Sequence, residues 1–181
     1  DGLKAIVNKD TKIIKLIVRR DDEIDRQYFL LVRLIRSAML NQRIARKLNL
    51  SNIDILDYRV AANHLESAGD YVAEFSSSIP KLWGTGFKDE IVEAGMIVDN
   101  MQHRSISAFI AKDNLQSEDV VKMYSKFSDL ANTIKEKSTK GSRSDPNISI
   151  LNCVYSIDRI ARCWVDIADL VKPVYRKSQF S

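Results

Sequence analysis

Five carboxylates on two stretches of the chain have types and spacing that could do chemistry. Asp21, Asp22 and Asp25 fall within RRDDEIDRQ, and Glu66 and Asp70 within HLESAGDY. On a helix, residues four apart share a face, so Glu66 and Asp70 stand one above the other. Like charges in that arrangement cost about 0.2–0.5 kcal/mol on an isolated helix, and more when buried without a partner. Such a face is left in water, paired with Arg19, Arg20 or Arg59, or occupied by a cation. If the two acidic stretches face each other, their oxygens suit a hard or borderline divalent or trivalent ion. A bound ion would relieve the repulsion and fasten the two helices together.

Other chemistries lack their residues. A di-iron oxygenase needs paired Glu-x-x-His segments, but Gly69 follows Glu66 at that distance and neither His64 nor His103 has an acid three residues before it. No Gly-rich phosphate loop, nucleophile elbow or zinc spacing is present, so the sequence does not read as an enzyme. Cys153 and Cys163 are ten residues apart, about 15 Å along a helix; they cannot pair with each other there and read as reduced thiols. Met96, Met101 and Met123 are expected as core filler, and Trp83 and Trp164 as packing residues.

The elements that must position the carboxylates are helices. DGLKAIVNKD reads as the last two turns of a helix already under way, which suggests a fragment of something longer. From Thr11 to about Lys47, Ile14, Ile17, Asp21, Ile24, Tyr28, Leu31, Ile35 and Ala38 keep heptad-like spacing, and Asp21 interrupts that apolar line. LNLSNID is a turn with Ser51, Asn52 and Asp54 as candidate caps. The stretch from Asp57 to Pro80 carries the stripe Ala61, Leu65, Ala68, Val72, Phe75 and Ile79, with small residues beside it that let a neighbouring helix come close. Further helices are expected over Lys88–Lys112, Ser117–Lys137 and from Pro146 onward with Asp145 as cap, STKGSRSDP forming a loop between the last two. No segment alternates with period two for long enough to be a strand. The fold class is therefore all-α.

The chain also repeats itself. GLKAIVNKD aligns with SISAFIAKD at an offset of 103, matching Ala5 with Ala108, Lys9 with Lys112 and Asp10 with Asp113. HLESAGDYVAEF aligns with SIDRIARCWVDI at an offset of 92, placing Glu66 on Asp158 and Asp70 on Arg162. Two tandem three-helix units are expected, residues 1–80 with an incomplete first helix and residues 81–181, forming one unit. The first offset lays Asp22 on Ser125 and Asp25 on Ser128. The acidic set of the first copy thus reads Ser, Ser, Asp158 and Arg162 in the second, where a fixed guanidinium stands in for a bound cation.

Composition bounds the partners. The 181 residues carry a net charge of +4 and a pI near 9.0, which permits an anionic partner without demanding one. Basic residues recur at Arg33, Arg36, Arg43, Arg46 and Lys47, at Lys135, Lys137, Lys140 and Arg143, and at Lys172, Arg176 and Lys177. Read as helix-end cations they satisfy terminal carbonyls. Aromatics are not interleaved with them, so direct nucleic-acid binding is not expected. No apolar run approaches the ~18 residues of a membrane span, and no membrane insertion is expected.

RRDDEIDRQYFLLVRLIR (19–36), LDYRVAANHLESAGDYVAEF (56–75) and the degenerate SIDRIARCWVDIAD (156–169) resemble the PhoU family of phosphate-uptake regulators, its archaeal branch above all. The resemblance implies a six-helix bundle of two pseudo-symmetric halves. It implies a cytoplasmic protein, often a homodimer, that controls phosphate transport by binding a phosphate transporter or signalling protein. It also implies iron, zinc or magnesium held through an E(D)xxxD motif. Here that motif is Glu66 to Asp70, with Asp22 and Asp25 matching the acidic positions of the preceding helix, so the implied metal set is Asp22, Asp25, Glu66 and Asp70. Arg162 leaves at most one such cluster. Archaeal relatives often carry a DNA-binding domain ahead of this bundle, which makes the effector or dimerisation half of a transcription regulator the alternative.

Overall fold

In a computed structural model that describes residues 2–139 and 145–171, two turns of one design set out the helices. Lys9 and Lys112 adopt left-handed backbone, with φ of 53° and 54°. The next amides, of Asp10 and Asp113, donate back to the carbonyls of Ala5 and Ala108 at 3.2 and 3.0 Å. Each Asp side chain then caps the following helix, Asp10 accepting from Lys12 N and Ile13 N and Asp113 from Leu115 N and Gln116 N. The repeat expected from GLKAIVNKD and SISAFIAKD is thus present in hydrogen bonds.

The described elements are α1 (Gly2–Asn8), α2 (Thr11–Leu40), α3 (Gln42–Lys47), α4 (Asn52–Ser78), a 3-10 turn (Ile79–Leu82), α5 (Lys88–Ala111), α6 (Asn114–Thr139) and α7 (Asp145–Asp169). The chain is all-α, and no strand occurs among the described residues. The count differs from the expected six because the long first helix breaks at Asn41. That residue takes an extended backbone, and its side chain accepts from Arg43 N to start α3. The loop residues 140–144, and with them Lys140 and Arg143, lie outside the described residues. So do Lys172, Arg176 and Lys177, and the side chain of Asp145.

α4 and α7 pack together at the centre, with α2 laid on α4 and with α5 and α6 on each other and on α7. Buried apolar residues from both repeats, among them Ile6, Phe75, Met101, Phe127, Ile157 and Trp164, form one core. Arg159 stacks 3.7 Å over the Tyr71 ring and lies 3.3 Å from Glu74, joining α7 to α4. Gly69 admits a close approach of α2 to α4. A Cβ there would stand 3.0 Å from Ile24. Met96 corrects the expectation of core filler. It is 57% exposed because it lies off the buried line of α5 that runs through Ile91, Ala94, Val98 and Met101.

Candidate metal centre

α2 and α4 carry the acidic groups, and their packing brings three of the four expected ligands together. Carboxylate oxygens of Asp25, Glu66 and Asp70 all lie within 4.8 Å of one another. Asp22 is exposed and stands outside that group. The residue of this run that turns inward is Asp21, one helical turn before Asp25. Its Oδ1 is buried with no hydrogen-bond partner among the described residues. Asp21 is the functional candidate that the motif reading passes over, although its interruption of the apolar line is the signal for it.

Burial and negative neighbours act on the group together. Desolvation raises the Asp21 pKa above the ordinary carboxylate value, and the charges of Asp70, Asp25 and Asp22 raise it further. Glu66 is raised by desolvation and then by Asp70, against a weak 3.4 Å hydrogen bond donated by the Ser67 hydroxyl. An oxygen-only cluster with an orphaned buried oxygen beside it fits a hard cation, whose charge would reverse these shifts.

The second repeat solves the same problem internally. At the offset of 103, Asp21 falls on Tyr124; at 92, Glu66 falls on Asp158 and Asp70 on Arg162. Tyr124 Oη donates to Asp158 at 3.0 Å, and Arg162 Nε donates to the other Asp158 oxygen at 3.0 Å. The guanidinium also lies 5.6 Å from the centre of the Tyr124 ring. The acid that remains is satisfied by side chains of its own repeat. His64, near this surface, lies 3.6 Å from Asp166 and takes no part in either cluster.

Beside the acidic group, two adjoining cavities of about 550 and 410 Å³ share Arg20 and Ile24 and follow α2. The equivalent face of α6 is covered by α5. Phe127 and Ile134 are wholly buried there, whereas their counterparts Ile24 and Leu31 lie beyond the reach of α1, which has 7 residues against the 24 of α5.

The family model described as the PhoU domain matches residues 1–79 and again residues 91–171. The chain belongs to the PhoU family. Its fold is similar to that of PhoU from Pseudomonas aeruginosa, with a TM-score of 0.80 at 19% identity over 94% of this chain and 84% of that one. It is similar also to the phosphate transport system regulatory protein PhoU from Streptococcus pneumoniae, with a TM-score of 0.79 at 17% identity over 94% of this chain and 82% of that one. No curated protein sequence matches it. The two PhoU repeats of this chain therefore share a scaffold and differ in charge at equivalent positions of their acidic centres, Asp21 against Tyr124, Asp22 against Ser125, Asp25 against Ser128 and Asp70 against Arg162.

Proposed function

We propose that this PhoU-family chain regulates phosphate uptake through protein contacts rather than by catalysis, and that a cation held in its first repeat joins α2 to α4. The two repeats, residues 1–80 and 81–181, act as one unit, in the cytoplasm and as a homodimer. Its partner is a phosphate transporter or an associated signalling protein, in keeping with the regulatory role named for the Streptococcus pneumoniae relative. No helix of the described residues is long and apolar enough to cross a membrane.

The observation that carries the cation is the convergence of Asp25, Glu66 and Asp70 from two helices, with Asp21 beside them. Asp25, Glu66 and Asp70 would hold the ion, Asp21 would supply a further oxygen, and Asp22 would contribute charge alone. All donors are carboxylate oxygens, which favours iron(III) or magnesium over zinc, whose sites use His and Cys as well. The test is elemental analysis of protein purified without chelator or affinity metal, wild type beside Glu66→Ala/Asp70→Ala. Metal in the wild type and none in the variant supports the centre; equal amounts in both remove it. The regulatory reading is tested by phosphate uptake in cells with and without the chain, and unchanged control of uptake by phosphate would overturn it.

A further inference from the structure

The end of the molecule formed by the C-terminus of α2, by α3 and by the N-terminus of α4 combines two features that the bundle does not need. The first is charge. Between Arg26 and Ile53 the chain has five basic residues and no acidic one. Arg33, Arg36, Arg43, Arg46 and Lys47 are all exposed, and among the described residues none of them forms an ion pair. Their reading as helix-end cations does not hold for α2, whose last turn contains no basic residue. It is weak for α3, which has only 6 residues and so little dipole to neutralise.

The second feature is outward-facing aliphatic surface. Leu40 is 88% exposed, Met39 67%, Ile53 65% and Leu56 58%. These residues are not loose ends. A separate small core of Ile35, Ala38 and Ile55, with Ile44, Ala45 and Leu50 against it, fixes the tip beneath them. The structure therefore holds aliphatic side chains out in water, with the unpaired cations of α2 and α3 on one side of them and, on the α4 side, Asp54, paired with Lys112, and Asp57.

We propose that this tip docks on an anionic lipid surface, its cations on the headgroups and Met39, Leu40 and Ile53 at the acyl boundary. A second copy of the chain is disfavoured as occupant, because two such tips would bring like charges together. A nucleic acid has no use for exposed leucine and isoleucine. A protein partner's side chain would need an apolar cup, but the cavity formed by the tip itself, by Arg46, Asn49, Leu50, Ser51, Asp54 and Lys112, is polar, and the apolar groove lined by Leu30, Leu31 and Leu34 runs along α2 away from these cations. A bilayer surface takes a convex tip and rewards both features at once. Docking of this kind leaves the helices outside the hydrocarbon and does not depend on the cation centre.

The test is flotation of the protein with vesicles of phosphatidylcholine alone and with added phosphatidylglycerol, at low and high salt. Binding is expected only to the anionic vesicles and is expected to fall with salt. Arg43→Glu/Arg46→Glu/Lys47→Glu is expected to weaken it about tenfold or more. Leu40→Ser/Ile53→Ser is expected to weaken it roughly fivefold, with thermal melting unchanged because both side chains lie in water. A short DNA duplex and polyglutamate serve as competitors. No binding to anionic vesicles, equal binding to neutral ones, or no effect of the serine variant would each overturn the proposal. So would displacement by either polyanion at concentrations that match the vesicle charge.

Discussion

The two repeats run the same helical plan with opposite solutions to a buried acid. In the second, Asp158 accepts from Tyr124 and Arg162, and Phe127 and Ile134 are sealed under α5. In the first, Asp21, Asp25, Glu66 and Asp70 crowd together with no ion pair to a cation among the described residues. The contrast separates scaffold from function. A helix pair can be held by residues that satisfy one another, or it can be left to be completed by something that binds. Only the second arrangement can respond to what is in solution.

The comparison is broken most easily at the apolar pair. Phe127→Ala removes a fully buried ring and is expected to cost about 3–5 kcal/mol of unfolding free energy. Ile24→Ala, at the equivalent position, removes a side chain that is 36% exposed and is expected to cost less than half as much. Urea denaturation of both variants checks this. Equal losses would mean that Ile24 is packed in solution as closely as Phe127.

The next effect concerns the ion. At a concentration a hundredfold above its dissociation constant, a cation that binds only the folded chain adds about 2.7 kcal/mol. Thermal melting of wild-type protein is therefore expected to rise with the ion. Asp21→Tyr/Asp70→Arg transplants the second repeat's arrangement into the first, and its melting is expected to be indifferent to the ion. An unchanged response in that variant would show that the ion acts elsewhere.

Much of this contrast was legible in the residues. The shared Lys-Asp pairs announced the matching turns, and Glu66 against Asp158 and Asp70 against Arg162 announced the change of charge. Of the stripe Ala61, Leu65, Ala68, Val72, Phe75 and Ile79, four are buried in the core, but Val72 is half-buried and Leu65 is 38% exposed. What escaped was local geometry that depends on packing. Past Ala38 the line would run on through Gln42 and Ala45, whereas Ile44 and Leu48 fall off it; that shift of phase marks the break, which exists because Asn41 caps α3 and Ile44 packs back onto Ile35 and Ala38. Motif spacing pointed to Asp22, whereas the face of α2 that meets α4 is set by Ile24 against Gly69, and this turns Asp21 inward and leaves Asp22 in water.

A smaller effect is expected from Arg162. The guanidinium is 62% exposed and its partner Asp158 17%, so Arg162→Ala is expected to cost about 0.5–1 kcal/mol, near the upper end for a solvent-screened pair. Arg162→Asp goes further in meaning, because it restores an acid at the position equivalent to Asp70. Bound cation, measured by elemental analysis, is expected to increase in that variant. No increase at any ion concentration would remove the equivalence of the two positions.

The smallest effect is on pH dependence, and it has a definite sign. Asp21 and Glu66 have raised pKa values in the folded chain, so the folded state holds protons that the unfolded state has already released. Their contribution is fully present below the ordinary carboxylate range and is lost as pH rises through the raised values. Asp54 works in the opposite direction. Its hydrogen bonds with Lys112 and Ser51 lower it to about 2, giving stability that is present above the ordinary value and lost on acidification below it. Metal-free protein is therefore expected to lose stability slightly between mildly acidic and neutral pH, by less than about 1 kcal/mol at these partly exposed sites. Asp21→Asn/Glu66→Gln should flatten that fall and leave the acid limb set by Asp54 in place. Saturating cation should reverse its sign, since the ion binds the deprotonated carboxylates and competes with protons. A wild-type profile that rises through this window without metal would mean that the acids of the first repeat are paired as well.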